Sequence, residues 1–234
     1  MEESLVYRRK AAPHLGCKQS VQASPAMRPT PVACLMLALV AAVPVAADAK
    51  TALQIAALSA RTYSLGQDSG DALMMITAAR LRKSLALQPT DRAPVDGAGA
   101  TDTPLTWEEM LTAAETLAAG DPTLLGLIAD TRAETDKGVA FGPVYNIGSL
   151  ETGADDTYPP MEFRGGEYAE VYVEAKTATD LNLVVRDSEG RLVCSDTDIS
   201  PIAYCGWTPA EAGAFTVTVE NRGPEAAPYA LMTN

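Results

Sequence analysis

Apolar and polar residues alternate over several short stretches in the last third of the chain. Ala169, Val171 and Val173 alternate with polar or aromatic neighbours, and similar alternation recurs over 181–186 and 215–220. A period of two is the side-chain period of a β-strand, and one apolar face per strand is typical of antiparallel sheets. Residues 158–234 are therefore predicted to form an antiparallel, jelly-roll-like β-sandwich, in which each strand turns one face to the core and the other to water.

The turns between these stretches support an antiparallel arrangement. Asp187 to Gly190 joins two of them, Ala212-Gly213 precedes the last, and Asn221 to Gly223 follows it. Glycine, asparagine and aspartate suit the positive φ angles of tight turns. Connections this short exclude parallel pairing through helical crossovers.

A secretory signal pattern precedes the rest of the chain. Met27 begins it with an arginine directly after, residues 31–47 form an uncharged apolar run, and residues 45–47 supply small residues for cleavage. We expect cleavage after Ala47, so residues 1–47 are interpreted as an N-terminal extension and a signal peptide, with the start at Met1 or Met27.

A membrane anchor is the competing interpretation of this apolar run. The run contains Pro44 and is shorter than the roughly 20 residues that a spanning helix needs. We therefore expect a periplasmic or secreted protein with no stable membrane insertion after cleavage.

Two cysteines, Cys194 and Cys205, remain after cleavage. In an oxidising compartment they are expected to form a structural disulfide, since their spacing is too wide for a C-x-x-C redox motif. Closing so short a loop is expected to stabilise the fold by roughly 3 kcal/mol.

The single histidine, His14, lies before the expected cleavage site. The mature chain then has no imidazole for Ser-His-Asp or Cys-His catalysis, or for histidine-ligated zinc, copper or haem. The full chain has 30 acidic against 18 basic residues, a net charge of −12. Such a charge argues against nucleic acid and anionic membranes as partners.

Residues 48–140 are predicted to be helical and to form two helical hairpins, as a bundle or as a short tetratricopeptide-like repeat. Apolar residues recur at helical spacing over 50–64, and 65–70 is expected to break that helix. Asp71 is expected to cap the second helix. Residues 141–157 are interpreted as a linker or an edge strand.

The second hairpin has sharper local signals. Thr106 and Glu109 form a capping-box pattern at the start of the third helix, and Gly120 is expected to take the left-handed position at its end. Asp121 and a following proline should begin the fourth helix, which is expected to run until Gly138.

The run 180–193, the Trp207-Thr208-Pro209 tripeptide and the run 213–221 together resemble the bacterial pre-peptidase C-terminal (PPC) type domain. This resemblance implies a small β-sandwich of exported proteins that acts as a binding or targeting module. Some members bind calcium, but Asn182 stands here where members commonly have aspartate.

Two groups of residues are candidate sites. Tyr168, Tyr172 and Tyr204 could form an aromatic platform for a sugar or peptide, whereas Trp207 is expected to pack beside the disulfide in the core. The acidic residues Asp180, Asp187, Glu189, Asp196 and Asp198 are candidate ligands of a calcium site, but the preferred interpretation is that they are surface-turn acids.

The sequence thus predicts an exported α+β protein that acts as a non-enzymatic binding module for a protein or glycan of the cell envelope. No cofactor is expected apart from calcium. One alternative is a carboxylate-dependent hydrolase of envelope polysaccharide, because carboxylate pairs are the remaining chemistry for such a reaction. Another is a calcium-stabilised structural domain.

Overall fold

Four α-helices come first in the described chain and two facing β-sheets follow, so the predicted α+β class is confirmed. The computed structural model describes residues 50–97, 102–135, 142–177 and 179–234. The expected signal peptide, its cleavage point after Ala47 and the helix end expected at Gly138 lie outside these residues. None of the described helices is both long enough and apolar enough to span a bilayer.

The helices form two consecutive pairs, each joined by a short turn. The third helix begins as expected, because the Thr106 hydroxyl accepts from the Glu109 N–H while the Glu109 carboxylate accepts from the Thr106 N–H. Asp71 and Asp121 also cap helices as expected. The helix bounds are Ala52–Ser69 (α1), Ala72–Lys83 (α2), Trp107–Ala118 (α3) and Pro122–Ala133 (α4).

The expected ends of α1 and α4 are wrong, whereas Gly120 is left-handed after α3 as expected. Helix α1 does not break at 65–70 but continues to Ser69, because Gly66 serves close packing: a Cβ there would lie 2.8 Å from Cγ of Met75 on α2. At the end of α3 the left-handed conformation already begins at Ala119 (φ 49°) and continues at Gly120. Helix α4 ends at Ala133.

Two β-sheets follow, with all pairings antiparallel except the short contact of β1 with β2. Sheet A has the order β1-β2-β10-β5-β8, and sheet B has the order β3-β9-β6-β7, with β4 also paired to β9. The strand bounds are Gln88–Pro89 (β1), Val144–Leu150 (β2), Asp155–Thr157 (β3), Met161–Phe163 (β4), Ala169–Ala175 (β5), Leu181–Asp187 (β6), Leu192–Asp196 (β7), Ile202–Trp207 (β8), Gly213–Asn221 (β9) and Ala227–Thr233 (β10).

The sandwich begins earlier in the chain than residue 158. Strand β2 lies between β1 and β10 and pairs with β10 along its whole length, from Val144–Thr233 to Leu150–Ala227. Residues 144–150 and 155–157, which the sequence assigned to a linker or an edge strand, are therefore strands of the two sheets.

The inner faces of the two sheets enclose an apolar core, as the alternation predicts. On β6 and β9 the outward residues are more exposed than the inward ones, as expected. On β5 the expected water-facing side is absent, because every residue of this strand is buried. The core includes Leu150, Tyr158, Val171, Val173, Leu181, Leu183, Val185, Ala203, Cys205, Val217, Val219 and Leu231.

The outer face of sheet A is buried because α1 lies against it. Leu53, Ala56, Ala57 and Ala60 of α1 pack on this face, and alanine side chains let the helix approach the sheet closely. The sheet contributes Ile147, Tyr172, Ile202, Ala230 and Met232 to the contact.

A buried ion pair fixes the helices to the sheet at the same interface. Both guanidinium amino groups of Arg82 on α2 donate to the Glu174 carboxylate on β5, at 2.9 and 2.7 Å, and the two side chains are 2% and 3% exposed. The Tyr172 hydroxyl and the Ala56 carbonyl complete the network. Burial alone would lower the pKa of Arg82, but Glu174 more than offsets it and the pKa is raised.

The predicted disulfide between Cys194 and Cys205 is confirmed, with 5.8 Å between the Cα atoms. It joins β7 to β8, which are the last strands of sheets B and A. The Asp196 carboxylate accepts from the Tyr204 N–H at 2.9 Å, so it occupies a backbone donor on the outer edge of β8. One side of the sandwich is thus closed by a covalent bond and a side-chain cap.

A chain of hydrogen bonds crosses the interior near β3. Tyr158 and Tyr229 share a hydrogen bond of 2.7 Å, Asn146 donates to the Tyr158 hydroxyl, and the Tyr229 hydroxyl donates to Asp156. Burial raises the pKa of Asp156, and the neighbouring Asp155 raises it further, while the bond from Tyr229 lowers it. Burial also raises the pKa of both tyrosines.

Replacing Arg82 by alanine should lower the free energy of unfolding by about 3–5 kcal/mol, because it leaves the Glu174 carboxylate buried without a partner. Arg80→Ala on the same helix is the control: its partner Glu134 is exposed, so the loss should stay below about 1 kcal/mol. Chemical denaturation of both variants measures the difference. Similar small losses would contradict the importance of the buried pair.

Serine at both Cys194 and Cys205 should lower the free energy of unfolding by roughly 3 kcal/mol, since the short loop is no longer closed. A reductant should lower the melting temperature of the wild type to near that of the variant and leave the variant unchanged. If the melting temperature of the wild type did not change at a reductant concentration shown to reduce the bond, the disulfide would not stabilise the fold as proposed.

Asp156→Asn tests the carboxylate at the end of the tyrosine chain. Because its pKa is raised in the folded state, Asp156 contributes stability that is present below about pH 4, its unfolded value, and is lost as the pH rises through the folded value. The stability of the variant relative to the wild type should therefore increase from pH 4 to pH 7. Denaturation curves across this range measure the difference in free energy of unfolding between variant and wild type. A difference that stays constant with pH would show that burial does not raise the pKa of Asp156.

Candidate functional site

Several strand ends meet at one end of the sandwich. Strand β4 ends at Phe163, β5 begins at Ala169, β8 ends at Trp207 and β9 begins at Gly213. The register confirms their proximity, because Phe163 pairs with Gly213 and Ala169 pairs with Trp207. We call this region, residues 163–169, 187–192, 207–215 and 234, the aromatic end.

The aromatic end is named for three rings that fill the space between the sheets. Trp207 lies 5.0 Å from Phe163 and 5.3 Å from Phe215, measured between ring centroids, with edge or tilted geometry. Trp207 packs on the sandwich core together with the disulfide cysteines, as the sequence predicts. The rings give this end of the sandwich a rigid floor.

A cleft of about 340 Å³ opens beside this floor. We call it the tyrosine cleft, since the ring of Tyr168 is 43% exposed there. Most of its remaining wall is polar, with Arg164 and Glu167 forming an exposed ion pair of 3.5 Å. Its full lining is Glu162, Phe163, Arg164, Glu167, Tyr168, Ala169 and Asn234.

The position of Tyr168 follows from its neighbours on the outer face of sheet A. Its hydroxyl lies above Gly206, where a Cβ would be only 2.1 Å away, so glycine makes room for the ring. The hydroxyls of Tyr168 and Tyr204 share a hydrogen bond of 3.2 Å. Asn234 donates to the Tyr168 carbonyl at 2.8 Å and thereby ties the end of the chain to the cleft.

Glu170 supports this arrangement from below. Its side chain is 1% exposed, and one carboxylate oxygen accepts from both the Tyr204 hydroxyl and the Thr51 hydroxyl at the start of α1. Burial raises the pKa of Tyr204, and its hydrogen bond to Glu170 raises it further. Tyr204 therefore stays protonated at neutral pH and keeps donating to Glu170.

The structure brings two of the three candidate tyrosines together. Tyr168 and Tyr204 share a hydrogen bond, but of the two only Tyr168 lines the tyrosine cleft, whereas Tyr172 is fully buried beneath α1 and donates to Glu174 at 2.8 Å. The expectation that Tyr172 lies on an exposed face is therefore wrong, because the helices cover the side of β5 that the alternation assigned to water. In this conformation Tyr172 cannot contact a ligand.

The candidate calcium ligands do not converge. Asp187 and Glu189 lie at the aromatic end and both pair with Arg191, whose hydrogen bond lowers the pKa of Asp187. Asp180 directly precedes β6, the strand that Asp187 ends, so their separation of seven residues places the two side chains about 20 Å apart.

The carboxylate of Asp196 is also engaged locally. Asp196 accepts from the backbone N–H groups of Tyr204 and Asp198. Across the described residues, no group of three or more acidic, cysteine or histidine side chains is placed to hold a metal.

Sequence reasoning missed most of the cleft wall. Glu162 lies in the short strand β4, Arg164 and Glu167 come from the connection between β4 and β5, and Asn234 follows the last strand. These residues have no periodicity or motif of their own. Their one available signal was position, because connections at the ends of strands often carry binding residues.

Comparisons with known proteins give limited similarities. No family model matches the chain, and no curated protein matches it in sequence. The pre-peptidase C-terminal domain of a Bacillus anthracis collagenase is 14% identical, with a TM-score of 0.32, covering 39% of this chain and 89% of that domain.

Two further solved structures show similarities of the same order. PliG of Aeromonas hydrophila, a periplasmic inhibitor of g-type lysozyme, is 14% identical (TM-score 0.31; 44% of this chain, 91% of PliG). A carbohydrate-binding module of Cellvibrio mixtus lichenase 5A, in complex with cellotriose, is 10% identical (TM-score 0.26; 43% and 83%). At these values the similarities establish neither the family nor the function of the chain.

Proposed function

We propose that the protein is a non-enzymatic module that binds a neutral glycan of the cell envelope. The observation that carries this proposal is the tyrosine cleft, in which a partly exposed aromatic ring is surrounded by polar side chains. The proposal is narrower than the protein-or-glycan partner that the sequence suggested.

The lining of the cleft suits a sugar better than an apolar peptide. One face of a sugar ring presents C–H groups that pack on an aromatic ring, while its hydroxyls seek hydrogen-bond partners at the edge. Tyr168 supplies the ring, while Glu162, Glu167, Arg164 and Asn234 supply carboxylate, guanidinium and amide groups. Few precisely placed polar groups around an apolar surface are typical of ligand sites.

Charge favours a neutral glycan over an anionic one. The chain carries a net charge of −12, and the cleft itself contains two glutamates against one arginine. A sulfated or carboxylated polymer would therefore meet a repulsive field. Binding to a neutral glycan should depend little on salt concentration.

Export to the periplasm or outside the cell is part of the proposal. The disulfide between Cys194 and Cys205 supports it, because such bonds persist in oxidising compartments and are rare in the cytosol. A ligand in the cell envelope would be accessible to the protein there.

Tyr168→Ala should weaken retention of the purified protein on chitin, cellulose or curdlan, three neutral polysaccharides, roughly tenfold or more, as expected for loss of an aromatic hot spot worth about 1.4 kcal/mol. Ile199→Ala is the control: Ile199 is 91% exposed in the connection between β7 and β8, away from the aromatic end. The measurement is the bound fraction after pelleting the polysaccharide. Failure of the wild type to bind any of the three, or unchanged retention of Tyr168→Ala, would refute the proposal.

The alternative of a carboxylate hydrolase can be tested in the same assay. Two glutamates, Glu162 and Glu167, line the cleft, and glycoside hydrolysis uses a pair of carboxyl groups. The supernatant is therefore assayed for released reducing ends. Product formed by the wild type and lost in Glu162→Gln or Glu167→Gln would replace binding with hydrolysis as the function.

A further inference from the structure

A second and larger cleft, of about 450 Å³, opens on the other side of the aromatic rings. It lies between the β6–β7 turn and the connection from β8 to β9, residues 208–212. Trp207 and Phe215 form its aromatic wall, and we call it the tryptophan cleft. None of the candidate binding tyrosines lines it.

The two clefts share one wall. Phe163 lines the tyrosine cleft, Trp207 lines the tryptophan cleft, and their rings are in contact with centroids 5.0 Å apart. Above the rings the two bordering connections are tied together, because the Gly166 N–H donates to the Pro209 carbonyl at 2.8 Å. The distance between the clefts is therefore fixed by backbone and ring contacts.

The tryptophan cleft repeats the chemistry of the tyrosine cleft. A partly buried aromatic ring borders it, and its rim carries the hydroxyls of Ser188 and Thr208 and the guanidinium of Arg191. Arg191 is held in place by Asp187 at 2.7 Å and by Glu189 at 2.9 Å. An aromatic surface with polar groups at its edge is again suited to a sugar ring.

We propose that the tryptophan cleft is a second subsite for the same glycan, so that one chain lies across the aromatic end and contacts both clefts. This inference rests on the proposed function and makes the ligand a polysaccharide or long oligosaccharide rather than a single sugar or disaccharide. Once one part of a chain is held in the tyrosine cleft, binding in the tryptophan cleft becomes intramolecular. Affinity therefore increases with chain length.

The test uses size-fractionated fragments of two and six sugar units, prepared from chitin, cellulose and curdlan. Ala212→Leu narrows the tryptophan cleft, since Ala212 is exposed and lines it. Ala226→Leu is the matched control, because Ala226 is exposed in the connection between β9 and β10. Calorimetry measures affinity. A Trp107→Phe background leaves Trp207 as the sole tryptophan, whose emission, excited at about 295 nm to avoid the tyrosines, reports on its cleft.

The wild type and Ala226→Leu should bind six-unit fragments at least roughly tenfold more tightly than two-unit fragments. Ala212→Leu should keep its affinity for two-unit fragments but should not bind six-unit fragments more tightly than these. Tyr168→Ala should weaken the binding of both fragment lengths. Six-unit fragments alone should change the fluorescence of Trp207.

Equal affinity of the wild type for both lengths, or an undiminished gain in Ala212→Leu, would overturn the second subsite and leave glycan binding intact. No binding of any fragment or polysaccharide would overturn both proposals.

Discussion

A buried ion pair between Arg82 and Glu174 connects the helical half of the protein to its sandwich. If either side chain is removed, the other charge remains buried without a partner in an interface that excludes water. The pair also fixes orientation, because a two-pronged contact between a guanidinium and a carboxylate permits little rotation. With this orientation fixed, the alanine-rich side of α1 packs on the outer face of sheet A.

This interface determines which surfaces remain for binding. Helix α1 covers the centre of the outer face of sheet A but leaves the aromatic end free. The first turn of α1 also contributes to that end, since Thr51 donates to Glu170, which in turn holds Tyr204 against Tyr168. The helical region is therefore part of the scaffold of the tyrosine cleft as well as a separate layer.

Local signals in the sequence predicted local structure well. The capping box at Thr106, the caps at Asp71 and Asp121, the alternation of β6 and β9, and the disulfide all depend on residues close together in the chain or on chemistry that is easily recognised. The fate of Tyr172 depended instead on helices about a hundred residues away that pack on its strand. No periodicity within β5 distinguishes a face open to water from one covered by alanines.

The sequence indicated only part of the candidate site, because part of it depends on contacts between residues distant in the chain. Tyr168 and Tyr204 are conspicuous as aromatic residues, and Arg164 and Glu167 are close to Tyr168 in the chain, but Asn234 reaches the cleft only through the pairing of β10 with β5. Aspartates that looked like a cation site are used within turns and caps, since short acidic side chains readily accept local backbone N–H groups.

The cap that Asp196 places on the Tyr204 N–H has a consequence for how this protein behaves among copies of itself. Terminal strands of open sheets offer unpaired amides to any extended chain that approaches, which is a common route to fibrils. Here a carboxylate occupies one such amide, and the neighbouring sulfur bridge holds the two border strands to each other. When copies of the protein are crowded together, this border therefore resists strand pairing between them.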